Sequence, residues 1–319
     1  MKHKLPILPA AALGLMMGLA SIPLLRPMVS ASQGASAQDA TTNAATQTDQ
    51  AQVLLRRSAA SLASLDSASA KIRLRVDLFG QQLTGSGRYL QSDSMSRQFR
   101  LELKMPLGDS FSSVQHVCDG KTLWIRRQIE GPPAVSKVDL SKIDLEAARS
   151  VGDPNVPLLT PAVGGLAGVL ANLDRAFEFR WMAETTLGKA PLRAVYGTWK
   201  PSRLARLLPD QKAAIDAGRG VDLTKLPEHM PDHVVVYLGR DDMFPYRIEY
   251  RRTTDGDPAA AVRDTSTAKT QVSMELFEAR FGSGVDRQEF VYTPGSTPVA
   301  DETEAYLAGQ GLSIVKPTP

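Results

Sequence analysis

The chain has 319 residues, 43% hydrophobic and 22% charged, with 24 Gly and 21 Pro. That is enough to bury a core in one large domain or two small ones, and it excludes a wholly disordered protein. One apolar run at the start, with none after it, excludes a multi-span membrane protein. The single cysteine, Cys118, excludes an intrachain disulfide framework and a Cys-rich metal site, and four histidines leave few ligand sets.

Lys2, His3 and Lys4 precede an apolar stretch from Leu5 to Leu25, which is broken by Pro6, Pro9 and Pro23. Ala35-Ser36-Ala37 follows as a small-x-small site. This three-part pattern predicts a cleaved secretory signal peptide over residues 1–37. Its uninterrupted centre, Ala10 to Ser21, is too short to span a bilayer comfortably. Residues 1–37 hold Lys2, Lys4 and Arg26 and no acid, so the 37 basic residues less these three equal the 34 acidic ones. The exported chain is formally neutral, which gives no electrostatic reason to expect nucleic-acid binding.

Residues 38–49 are small and polar and read as a disordered linker. Helical period begins near Gln50: Ala51, Leu54, Leu55, Ser58, Leu62 and Leu65 form one stripe. At Ala70 the period changes to two. Ala70, Ile72, Leu74, Val76 and Leu78 alternate with Lys71, Arg73, Arg75 and Asp77, the pattern of a strand with one wet face. Turns at Phe79–Gln82, Ser92–Ser94, Pro106–Asp109 and Asp119-Gly120 separate further strands over Leu83–Leu90, Phe99–Met105, Phe111–Val117, Leu123–Ile129 and Ala134–Val138. The result is a six-stranded meander.

Leu140–Val151 and Ala162–Leu173 have helical composition. Strands are predicted over Phe177–Ala183, Leu192–Lys200, His233–Leu238, Tyr246–Arg252 and Gln271–Phe281. Residues 201–231, with a helix near Leu204–Ala217, and the polar loop 253–269 read as insertions. The tail from Phe290 is extended. About eleven strands, nearly all antiparallel, with no βαβ order, argue against Rossmann and TIM-type folds. The predicted fold is mainly β: one large curved antiparallel sheet with a leading helix and helices inserted midway.

Catalytic signals are weak. Gly108-Asp109-Ser110-Phe111 is similar to the nucleophile block of one esterase class, but no histidine has an aspartate three residues before it, so the stretch reads as a turn. Glu228-His229-Met230-Pro231-Asp232-His233 has two histidines four apart, yet Pro231 disfavours the helix that would put them on one face. His116 and Cys118 alternate onto one strand face, which admits a thiolate pair or, more simply, a buried structural thiol. Gly282-Ser283-Gly284 is a turn. Trp124, Trp181 and Trp199 fall in strands, where an aromatic packs in the core or lines a ligand.

Val117-Cys118-Asp119-Gly120-Lys121-Thr122-Leu123-Trp124 resembles the Asp-Gly-Lys-Thr-Leu-Trp hairpin of the LolA-like periplasmic lipoprotein carrier family. Gly85-Ser86-Gly87-Arg88-Tyr89-Leu90 resembles its Gly-x-Gly strand. Glu289-Phe290-Val291-Tyr292-Thr293-Pro294, with Val299 and Asp301, resembles its closing strand. The resemblance covers residues 50–140 and 286–303. It implies a half-barrel domain over 50–303, lidded by helices around an apolar cavity, with a flexible tail over 304–319. It also implies a non-enzymatic, cofactor-free periplasmic carrier of acyl chains, monomeric, with lipid or acylated lipoprotein as cargo. Inner- and outer-membrane transport or regulatory proteins would be its partners. The alternative is a sensor scaffold of the RseB type, which reads lipid or misfolded protein and binds a membrane partner. The residues implied for the cavity and lid are Leu54, Leu55, Leu62, Leu74, Val76, Leu101, Leu103, Trp124, Leu166, Val169 and Leu170, with Gly164, Gly165 and Gly168 giving the lid flexibility.

Overall fold

Alternation of apolar and polar side chains builds the sheet. Along β1 (Ala68–Leu78), Ala70, Ile72, Leu74, Val76 and Leu78 are buried, while Lys71, Arg73 and Arg75 are exposed. The same alternation runs through β2 (Gln81–Gln91), β3 (Phe99–Leu107), β4 (Ser110–Cys118), β5 (Thr122–Gln128) and β6 (Ala134–Asp139). Period-two burial gives these six strands a largely apolar inner face and a largely polar outer one, whereas β9 (His233–Gly239) is buried on both faces, its outer side packed in a second cluster of Ala194, Tyr196 and Val235. The computed structural model describes residues 41–92, 97–108, 110–129, 131–142, 164–254, 256–259 and 265–309. The predicted signal peptide, Asp93, Ser94, Asp109 and all but the start of the helix expected over Leu140–Val151 lie outside the described residues.

The chain continues through α2 (Gly165–Ala176), β7 (Phe177–Leu187), β8 (Ala190–Trp199), β9 (His233–Gly239), β10 (Pro245–Thr253) and β11 (Ala268–Phe281) to a short β12 (Val299–Asp301). All twelve strands join one sheet in the order β12-β6-β5-β4-β3-β2-β1-β11-β10-β9-β8-β7. Every pairing is antiparallel except β12 with β6. Eight registered pairs between β1 and β11, from Ala68 with Phe281 to Val76 with Val272, join the meander to the later strands. β12 and β7 are the two free ends, so the curved sheet stays unclosed: it is the expected half-barrel.

The leading helix α1 spans Thr41–Ser64 and so begins inside the stretch read as a linker. Its Ala, Thr, Gln and Asp residues tolerate helix, and the apolar stripe that follows extends the segment backward. Ala51, Leu54, Leu55, Ser58 and Leu62 are buried, as the wheel predicts. Leu166, Val169, Leu170 and Leu173 of α2 join the same core. A fully buried leucine or valine contributes roughly 2 kcal/mol. Among the described residues no helix is long and apolar enough to cross a membrane.

The structure departs from several local expectations. The helix near Leu204–Ala217 is broken at Pro209 into α3 (Pro201–Leu207), a 3-10 turn and α4 (Lys212–Asp216), because proline removes an N–H and its ring clashes with the preceding turn. Residues 201–231 also pack inward: Leu204, Ala205, Leu208, Ile215 and Leu226 all enter the main core. The Arg252 guanidinium gathers their last turns by donating to four carbonyls: Thr224, Leu226, Pro227 and Met230, at 2.6–3.0 Å.

The closing strand expected at Glu289–Pro294 is a 3-10 turn, Arg287–Phe290, followed by irregular chain. Glu289 binds Arg88 and Arg100 on the outer face, and Tyr292 stacks on Trp124 at 5.5 Å. These contacts draw the segment across the outer face rather than along an edge. Pro294, without an N–H, and Gly295, at φ +62°, keep it irregular until β12. The tail read as flexible from residue 304 includes α5 (Thr303–Gly309), whose start is capped by the Asp301 carboxylate.

Candidate functional site

The apolar residues named from the sequence converge. Leu54, Leu55 and Leu62 on α1, Leu74 and Val76 on β1, Leu101 and Leu103 on β3, and Leu166, Val169 and Leu170 on α2 lie between 0% and 8% exposed. All ten belong to one continuous cluster on the inner face. In this state the face is filled by side chains of α1 and α2. Trp124 is not among them. It stands on the outer side of β5, between inward Leu123 and Ile125, so the period that buries those two turns the indole away.

A buried hydrogen-bond relay fastens both helices to the sheet. The backbone N–H of Leu166, in the first turn of α2, donates to Tyr89 Oη at 3.1 Å. Tyr89 Oη donates to Gln91 Oε1 at 2.8 Å. Gln91 Nε2 donates to the carbonyl of Leu62, near the end of α1, at 2.7 Å. The relay supplies a partner for one of the donors that every helix start leaves open. Burial pushes the Tyr89 phenol far above its usual range, so it stays a donor at all accessible pH.

Glycine is required where the relay meets α2. Gly165 has φ +60°, and a Cβ there would stand 2.3 Å from Tyr89 Oη. Gly164 is also left-handed, at φ +112°. These glycines set a close approach and a turn rather than the looseness expected of them. Further along α1, Ser58 Oγ donates to the Met243 carbonyl at 2.6 Å and Gln52 Oε1 accepts from the Phe179 N–H at 2.8 Å.

The outer face is different in kind. Across it runs a row in register: Lys71, Arg88, Glu102, Gln115 and Arg126, on β1 to β5. Glu102 accepts from Arg88 at 2.7 Å, Arg100 at 2.6 Å and Gln115 at 2.8 Å. Burial opposes its charge, but these three donors overcome burial and hold the carboxyl down at about 2. An open groove of about 530 Å³ lies along this row, with Lys104 and Phe111 on one rim.

The catalytic candidates read from the sequence do not assemble into one site. Burial pushes the Cys118 thiol up to about 11 and the His116 imidazole down to about 3. Both are neutral at pH 7, which removes the thiolate–imidazolium pair and leaves a buried structural thiol. Ser110 Oγ donates back to the Leu107 carbonyl at 3.1 Å, as in a turn. His233 is buried with its Nδ1 2.5 Å from Asp232 Oδ1, while His229 faces the Phe79 ring at 6.4 Å. Asp232 in turn accepts from the Thr253 N–H at 2.8 Å, so the pair clasps β9 to β10. Among the described residues, no three His, Cys, Asp or Glu side chains gather to hold a metal.

No family model and no curated protein matches the chain. Solved structures do. The MucA/MucB complex of Pseudomonas aeruginosa is similar at TM-score 0.38 and 12% identity, over 83% of this chain and 63% of that one. A DUF1329 family protein from Desulfovibrio piger is similar at TM-score 0.32 and 10% identity, over 77% and 98%. LprF from Mycobacterium bovis is similar at TM-score 0.33 and 12% identity, over 76% and 98%. This chain thus spans under two thirds of the MucB-complex chain it matches. At these scores the likeness is one of outline, and no residue's role is carried over from it.

Sequence reasoning missed Tyr89, Gln91, Lys104 and Arg126. One signal for the first two was present: Tyr89 and Gln91 occupy inward positions of β2, where a polar tip needs a partner. The outer groove had no such signal, because it arises from cross-strand register.

Proposed function

We propose that this chain is a non-enzymatic carrier, exported to the periplasm by the signal at residues 1–37. It takes acyl chains of lipids or lipoproteins on its inner face and passes them between membranes. One observation carries the reading: ten apolar residues from two helices and two strands share a single inner face, and helices rather than a second sheet cover it. Cargo enters by exchange with the lid. A long acyl chain contributes roughly 10 kcal/mol on burial, at about 0.8 kcal/mol per methylene. Leu166, Val169, Leu170 and Leu173 of α2 together contribute about 8 kcal/mol on the same scale. The two are close enough for exchange to run in either direction.

Titration of the full exported chain with a fluorescent fatty acid tests this. Saturable binding, displaced by unlabelled fatty acid and faster in Tyr89→Phe, is expected. No binding by either protein overturns carriage.

A sensor scaffold of the RseB type is the second reading, favoured by the filled state of the inner face. On that reading the lid stays shut, and a stable complex with an inner-membrane regulator forms without bound lipid.

A further inference from the structure

The outer groove lies on the side of the sheet away from the lipid face, and carriage assigns it no role. Lys71, Arg88, Lys104 and Arg126 line it against one carboxylate, Glu102. That carboxylate is already saturated by Arg88, Arg100 and Gln115. Glu278 and Glu289 hold Lys71 and Arg88 from outside the groove. Lys104 and Arg126 differ from these. Lys104 lies over the Phe111 ring at 4.1 Å, and Arg126 reaches only neutral acceptors, Ser113 Oγ at 3.4 Å and Gln128 Oε1 at 3.1 Å. Among the described residues neither meets a carboxylate. Arg75, exposed on the same face of β1, meets none there either.

Shape narrows the occupant. The row crosses from β1 to β5, four strand spacings or about 19 Å. A single phosphate or carboxylate would engage one end of it. A flat lipid surface would ride on the rims and leave the floor empty. About six residues of extended peptide span the same length. Phe111, 39% exposed at the rim beside Lys104, offers an apolar contact next to the charges. We propose that this groove docks an extended, acidic segment of a partner protein, with Lys104 and Arg126 as its chief anion contacts. The proposal stands whether or not the inner face carries lipid.

The test uses the full exported chain and a fluorescein-labelled octaglutamate peptide, read by anisotropy at low salt. Saturable binding that weakens steeply as salt rises is expected. Lys104→Glu with Arg126→Glu should weaken it more than tenfold. Arg206→Glu with Arg219→Glu, an equal charge change at exposed sites on α3 and beyond α4, should leave it within twofold. Lys104→Gln with Arg126→Gln, gentler at the same sites, should give an intermediate loss with an unchanged circular dichroism spectrum. Equal weakening by both Glu pairs would reduce the effect to net charge and overturn the site. Displacement of the peptide by inorganic phosphate at matched concentration would overturn the extended occupant in favour of a single anion. Displacement by phosphatidylglycerol vesicles, with none by phosphatidylcholine, would overturn it in favour of a membrane surface. Fatty-acid binding measured on the same variants separates failure here from failure of the carrier reading.

Discussion

The Tyr89 phenol stands between two partners, accepting the Leu166 N–H at 3.1 Å and passing its own proton to Gln91 at 2.8 Å. That one oxygen joins the start of α2 to the sheet, and through Gln91 to the end of α1. Tyr89→Phe keeps the ring and removes the oxygen, leaving the Leu166 N–H and Gln91 Oε1 without it. A buried polar group so orphaned costs about 1–3 kcal/mol. Urea denaturation should record a loss in that range. Hydrogen exchange should show it concentrated in Gly165–Ala176, with the amides of β1 and β11 little changed.

Gly165→Ala should destabilise by a similar amount for a different reason. Its Cβ would press on Tyr89 Oη, and φ +60° is strained for any residue with a Cβ. Because the clash is with the oxygen that Tyr89→Phe removes, the double variant should lose less than the sum of the singles. A coupling of about 0.5–3 kcal/mol is the range for residues in contact. Simple additivity would show that the close approach does not matter energetically.

Arg252 holds the end of the 201–231 segment by donating to four carbonyls. Lysine keeps the charge but is a point donor without the planar fork. Arg252→Lys should therefore cost about 2 kcal/mol, on the scale of one or two lost charge-assisted bonds. Limited proteolysis should then cut between residues 217 and 231 before it cuts any strand.

Acid should destabilise the fold in two steps, each with a traceable group. His116 binds its proton near 6.5 when unfolded but only near 3 when folded, because burial excludes the charge. The unfolded state therefore holds the extra proton between those values, and stability falls as pH drops through that window, by at most about 1.4 kcal/mol per pH unit. Glu102 shifts from 4.5 to about 2, so its contribution is complete above 4.5 and is lost as pH falls toward 2. Denaturant midpoints at pH 7, 5.5 and 4 should decline in the native sequence. His116→Leu should flatten the interval from 6.5 to 4.5, and Glu102→Gln only the interval below it.

Local pattern carried much of this fold. Lys71, Arg73 and Arg75 alternating with Ile72, Leu74 and Val76 identify a strand and its wet face without further information. The inner cluster followed from such faces taken together. Long-range pairing is another matter. Nothing near Ala68 or Phe281 says that they meet, yet their pairing joins the two parts of the sheet. Trp124 shows the cost of naming a residue by type: its neighbours Leu123 and Ile125 already fixed it to the other face. The strap from Arg287 read as a closing strand by resemblance, but it opens as a 3-10 turn and its course depends on Glu289 finding Arg88 and Arg100, more than 180 positions upstream.

One end of the sheet is guarded by its own irregularity. β7 is an eleven-residue outermost strand, with Met182 40% exposed, and such a margin invites end-to-end stacking of molecules into fibrils. Its register with β8 slips between Phe179 and Trp181, leaving Arg180 as an extra residue, and Glu178, Arg180 and Glu184 place charges along the same margin. A second molecule approaching there meets a kinked ribbon with fixed charges, so crowding in a narrow compartment would not readily turn the margin into a template for growth.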